Sequence, residues 1–200
     1  MSHTTNERII EIPWALMQLP QSGLILDVGS CDATYLQVIH QPGRNLHCLD
    51  PRDCRGEIPH GAVFYNQNLI GNDLPGKTYD AVLLISTLEH IGLPCYGHTP
   101  FPDGDRMALA EAWRLLKPEG VLIVTVPVGQ AKMATWYRQY SPAGLQRLFA
   151  GWRTTISYWG FDGHHYHPIP AEEVERYDYR DSPHIGVGAG AIAGIVAYPQ

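Results

Sequence analysis

The stretch from Leu24 to Asp50, LILDVGSCDATYLQVIHQPGRNLHCLD, restricts the fold of this chain more than any other. Leu24, Ile25, Leu26 and Val28 make a short apolar run of strand length, and Gly29-Ser30 ends it in a turn. From Thr34 to His40 the apolar residues Tyr35, Leu36, Val38 and Ile39 return at helical spacing, and Gln41-Pro42-Gly43 stops them. A second buried run, Leu46 to Leu49, ends on Asp50. This is a β-turn-α-β unit with an acid at the tip of its second strand, the building block of an α/β sheet.

Gly29 lets the backbone approach a ligand closely, and the turn with the following helix N-terminus offers N–H groups to polar ligand atoms. Asp50, about 20 residues on, stands where an acid accepts hydrogen bonds from the two hydroxyls of an adenosine ribose. Dinucleotide sites use the same device, but their fingerprint is G-x-G-x-x-G. Here Gly29 is followed by Ser30, Cys31, Asp32 and Ala33, so the pyrophosphate cradle is missing.

Two hundred residues suit one domain with a sizeable core. A formal net charge of −6, with no Lys/Arg cluster, supplies no footprint for nucleic acid or an anionic membrane. The longest apolar runs, Ala81 to Ile85 and Val121 to Val124, fall far short of the ~18 residues a membrane span needs. Cys31, Cys48, Cys54 and Cys95 lack paired metal spacing, and no basic-then-apolar leader opens the chain. A cytoplasmic protein, monomeric or homodimeric, is expected.

ILDVGS at 25–30 with Asp50-Pro51 resembles the first two motifs of class I S-adenosylmethionine-dependent methyltransferases. The resemblance implies that Asp27 lies near the cofactor's methionine part, that the loop of Gly29 and Ser30 passes alongside the cofactor, and that Asp50 meets its ribose. The later glycines of the family's usual loop are absent. After a short strand at Ala62 to Tyr65, Asn68-Leu69 takes the place of the family's acid-plus-apolar pair at the adenine, and an amide can accept from the adenine amine. The apolar strand Ala81 to Ile85 delivers Ser86 to His90 to the carboxyl edge, where open α/β sheets bind ligands. Its LEHI ending resembles the post-strand motif of many small-molecule methyltransferases, and LKPEG before the strand Val121 to Val126 resembles another junction of that family.

The remaining elements are a helix at Ile9 to Leu19 with Pro13 in its first turn, a helix at Arg106 to Leu116 with Asp105 as cap or first-turn acid, and a helix at Pro142 to Phe149 capped by Ser141. Strands at Arg153 to Trp159 and Ala189 to Tyr198 complete the sheet. The expected fold is α/β: one doubly wound, seven-stranded, mostly parallel sheet, with a helical segment over 1–23 and the methyltransferase domain over 24–200. By the resemblance, the last strand runs antiparallel between its neighbours.

The implied reaction is methyl transfer from S-adenosylmethionine to a small-molecule or sugar-like acceptor, most readily at oxygen. His90 is the candidate base because it follows the central strand and titrates near neutrality; Glu89 beside it is a second candidate or a structural acceptor. The acceptor pocket is expected between residues 9–19, 92–104, 130–140 and 160–188, with Trp136, Tyr137, Arg138 and Tyr140 as aromatic and basic lining or as packing. His164, His165 and His167 show no matching acid set, so no metal is expected. A nicotinamide-dependent oxidoreductase is disfavoured by the missing glycines, and a non-catalytic S-adenosylmethionine-binding scaffold is the third reading.

Overall fold

The structure is a computed structural model that describes residues 6–95, 100–182 and 186–200. Its main sheet has eight strands in the order β3-β2-β1-β4-β5-β12-β8-β9. These are β1 (Gly23–Val28), β2 (Arg44–Leu49), β3 (Val63–Tyr65), β4 (Tyr79–Ile85), β5 (Leu116–Val128), β8 (Trp152–Phe161), β9 (Tyr166–Pro168) and β12 (Ala191–Pro199). Two small ribbons, β6 (Lys132–Met133) with β7 (Arg138–Gln139) and β10 (Arg180–Ser182) with β11 (Gly186–Gly188), lie outside it. The first five strands are parallel, and β12 runs antiparallel to both β5 and β8, as the resemblance implied. The eighth strand is β9, which pairs antiparallel with the end of β8 and was not legible as a strand in so short a segment.

Alternation along β4 explains why its stretch Ala81 to Ile85 is apolar throughout. Ala81, Leu83 and Ile85 enter one core with Ala15, Leu36 and Ile39, whereas Val82 and Leu84 enter the other with Leu109, Ala112 and Leu145. Helices α1 (Arg8–Gln18) and α2 (Leu36–Ile39) therefore cover one face, and α3 (Gly104–Leu115) and α4 (Pro142–Leu148) the other. Ser141 caps α4 as expected, its Oγ accepting from the Gly144 N–H at 3.1 Å.

Two local expectations are corrected. Pro13 lies in the interior of α1 rather than in its first turn. Packing holds the helix there, because Gly194 on β12 leaves room for the Trp14 ring, which a Cβ at 194 would meet at 2.7 Å. The segment LKPEG is the start of β5, paired Tyr79 to Leu116 across a bulge, and not a free turn. Of the two roles expected for Asp105, the first-turn acid is the one found: Asp103, in a left-handed conformation, precedes α3, and Asp105 accepts the Arg106 N–H at 2.9 Å and the Tyr140 Oη–H at 3.2 Å and pairs with Arg138 at 3.8 Å. No described helix is long and apolar enough to cross a membrane.

Candidate active site

The carboxyl ends of β1, β2 and β4 open onto a cavity of about 650 Å³. That size lies within the range of small-molecule sites. Gly29, Asp50, Asn68, Leu69, Ser86 and His90 line it, so six of the nine residues singled out in the sequence are brought together. The other three, Asp27, Ser30 and Glu89, are buried behind its wall.

Asp27 and Ser30 hold the loop after β1 from beneath. Asp27 is fully buried and accepts from Ser30 Oγ at 2.7 Å and from Tyr35 Oη at 3.0 Å. Burial pushes its carboxyl up to about 6, against the two hydroxyl donors that favour the charged form. Gly29 has φ +82°, and a Cβ there would sit 2.6 Å from Thr87 Oγ1. The missing side chain makes room for Thr87, and the Gly29 backbone lines the cavity.

Asp50 is almost wholly buried at the tip of β2, yet it faces the cavity. Its Oδ2 accepts the Cys31 N–H at 2.9 Å, and its Oδ1 accepts the Arg52 N–H at 2.9 Å and the Arg52 Nε–H at 3.3 Å. Asn66 Nδ2 donates to the Asp50 and Pro51 carbonyls, fixing the turn, while Asn68 is left at the cavity wall. Cys31 and Cys54 form a disulfide, with Cα atoms 5.5 Å apart, that ties the loop after β1 to the segment after β2. Cysteine spacing carried no sign of this bond, because the fold and not the spacing brings the two segments together.

On the other side, Ser86 adopts φ +44°, a strained conformation for a non-glycine residue. Two contacts hold it: its N–H donates to Thr125, and its Oγ donates to both carboxylate oxygens of Glu11, at 2.8 and 2.9 Å. Arg8 lines the cavity and pairs with buried Glu11 at 3.5 Å. Arg8, Glu11 and Arg52 were not found from the sequence. The one signal was for Glu11, in the helical spacing that put residues 9–19 beside the pocket; Arg8 falls just before that stretch.

His90 Nδ1 lies 2.5 Å from the Trp136 carbonyl, which can only accept, so the ring N–H is on Nδ1 and the neutral ring carries its lone pair on Nε2. Trp136 also stacks on His90, with ring centroids 5.5 Å apart and planes 12° apart. Burial moves the His90 pKa below its ordinary value. Glu89 Oε1 is 3.7 Å from Nε2, too far for a hydrogen bond, and Glu89 Oε2 is buried without a hydrogen-bond partner. Burial, with Glu11 nearby, holds the Glu89 carboxyl well above the usual range. Arg138 and Tyr140 are packing residues, with Arg138 Nη1 donating to the Ile91 carbonyl at 2.7 Å. Residues 96–99 of the expected pocket loop and 183–185 of the long connection lie outside the described residues.

A family profile described as a methyltransferase domain matches residues 1–177. A search of curated proteins found no match. Among solved structures, a Burkholderia thailandensis 1,6-didemethyltoxoflavin-N1-methyltransferase, with bound 1,6-didemethyltoxoflavin and S-adenosylhomocysteine, superimposes with TM-score 0.64 at 15% identity over 96% of this chain and 79% of that one. The N-methyltransferase NodS of Bradyrhizobium japonicum, with S-adenosylhomocysteine, has TM-score 0.63 at 11% identity, over 97% and 87%. A Thermotoga maritima S-adenosylmethionine-dependent methyltransferase, described as a possible histamine N-methyltransferase, has TM-score 0.60 at 18% identity, over 96% and 88%.

Proposed function

Since the chain belongs to the methyltransferase-domain family, we propose that it transfers the methyl group of S-adenosylmethionine to a small-molecule acceptor in the cavity at the carboxyl edge of the sheet. The observation that carries this reading is Asp50, a buried carboxylate at the tip of β2 that faces the cavity beside the Gly29 loop. Those residues suit the cofactor: Asp50 would take the ribose hydroxyls, Asn68 and Leu69 the adenine, and the Gly29 loop and Ser86 the remainder. When bound, S-adenosylmethionine supplies an electrophilic methyl group carried on positively charged sulfur.

The protein's work is then alignment and proton removal. Asp27, Ser30 and Thr87 fix the loop after β1, and Glu11 fixes Ser86 in its strained conformation. His90, with its N–H committed to the Trp136 carbonyl, is the group that takes the acceptor's proton at Nε2. A hydroxyl acceptor needs such a base during attack, whereas a neutral amine attacks with its own lone pair. We therefore favour oxygen as the methylated atom, with nitrogen as the alternative that an acceptor panel distinguishes.

Calorimetry with S-adenosylhomocysteine and with NAD tests the cofactor. Saturable binding of the first alone is expected, and binding of NAD alone would replace this reading by an oxidoreductase. Release of S-adenosylhomocysteine from S-adenosylmethionine across matched hydroxyl and amine acceptors then identifies the acceptor atom.

A further inference from the structure

The tip of the β8–β9 hairpin gathers a second set of chemically able side chains, outside the cavity. Asp162, His165 and His167 each present one ligand-capable atom, and these atoms all lie within 4.8 Å of one another. The acid that no sequence spacing revealed is supplied by the turn. Gly163, at φ +105°, lets the chain reverse. Asp162 Oδ1 accepts the backbone N–H groups of His164 and His165 at 2.8 and 2.9 Å, and Oδ2 lies 3.3 Å from His165 Nδ1. His165 and His167 are two apart in extended chain, which puts both rings on one face, with centroids 6.0 Å apart.

A second observation points to a ligand. His167 buries its Nδ1 with no hydrogen-bond partner among the described residues. An unsatisfied buried polar group of this kind is costly, and metal coordination is one way to satisfy an imidazole nitrogen.

We propose that Asp162, His165 and His167 form a binding site for one divalent transition-metal ion of the zinc or nickel type, with water completing its coordination. Two imidazoles and one carboxylate are borderline ligands that suit these ions, whereas magnesium and calcium want oxygen throughout. The carboxylate is already oriented by two backbone donors, so it loses little freedom on binding. Atoms within 4.8 Å of one another have to close somewhat further around one ion, at the roughly 2.0–2.1 Å of a metal–nitrogen bond. Because β12 is antiparallel to both β5 and β8, β8 runs parallel to β5, and the site lies at the same edge of the sheet as the cavity. It shares no residue with the cavity lining.

The test is titration of the metal-free full chain with zinc chloride, followed by calorimetry and by melting. One saturable site per chain is expected, reversed by EDTA. His165→Ala, at a side chain that is 69% exposed, should lower affinity at least ten-fold without changing the melting of the metal-free protein. Asp162→Asn keeps an oxygen for the turn but removes the charged ligand, and should also weaken binding. His60→Ala, at an exposed histidine elsewhere, should leave affinity unchanged. No saturable binding below about 100 µM, or equal affinity in the parent, His165→Ala and Asp162→Asn, overturns the site.

Discussion

Arg52 closes on Asp50 from the next turn: its backbone N–H reaches Oδ1 at 2.9 Å and its Nε–H the same oxygen at 3.3 Å. The same guanidinium also bonds the exposed carboxylate of Asp32 at 3.0 Å and the Cys31 carbonyl at 3.3 Å, so it bridges the two loops that frame the cavity. A ribose diol and this guanidinium would compete for the same oxygens.

Asp50→Ala is therefore expected to weaken S-adenosylhomocysteine binding by about 1.5–3 kcal/mol, roughly 10- to 100-fold. Arg52→Ala should act in the opposite direction, tightening binding several-fold by releasing Asp50. Calorimetry on both variants decides. Unchanged affinity in Asp50→Ala removes the ribose assignment, and a fall in Arg52→Ala makes Arg52 a ligand contact.

The Cys31–Cys54 bond closes a loop with a sequence separation of 23 around that same site. In the chain-entropy account such a cross-link stabilises by about 3 kcal/mol. Reduction, or Cys54→Ser, should lower the melting temperature and loosen cofactor binding together. Thiol titration of the unreduced protein should find two free cysteines, Cys48 and Cys95; four would show that the bond does not form in solution.

Gly29→Ala is expected to destabilise the fold more than it weakens binding. The left-handed backbone and the 2.6 Å approach to Thr87 Oγ1 together cost roughly 2–5 kcal/mol. Chemical unfolding without ligand measures the first effect, and affinity of the folded fraction the second. A variant with parental stability and lost affinity would return Gly29 to the role of ligand contact.

His90→Asn should reduce turnover roughly 10²–10⁴-fold at saturating cofactor and acceptor, with cofactor affinity nearly kept. The pH profile carries the sign. Burial lowers the His90 pKa, so the neutral, basic form persists to lower pH than for an ordinary histidine. The rate should climb with pH through a limb below about 6.5, and be flat at neutrality. This limb should vanish in His90→Asn. Full turnover in the variant would leave alignment as the whole mechanism.

The strands of the sheet could be read from the chain because a parallel strand buried on both faces has to be apolar at every position. Ala81 to Ile85 and Val121 to Val124 satisfy that demand without help from any neighbour. The turn at Gly29, the acid at Asp50, the cap at Ser141 and the post-strand His90 are equally local: each is a residue type answering the backbone beside it. Their convergence on one cavity followed from the rule that ligands meet the carboxyl ends of the strands.

What the tertiary structure alone decided depends on segments distant in the chain. Pro13 survives inside α1 because Gly194 accepts Trp14, and LKPEG is drawn into β5 by its pairing with Tyr79. Arg8 reaches the cavity and Glu11 reaches Ser86 from the first helix, Arg52 enters the site from the loop after β2, and Cys31 meets Cys54, because of how the packed elements are placed. Asp162 joins His165 and His167 because a four-residue turn orients a carboxylate that, in the sequence, is only one acid among others. Periodicity reports what a residue needs from solvent and from its own backbone. Which side chains face one another across loops is set by how the packed layers place the ends of the strands, and that information is shared among all the elements rather than held in any one of them.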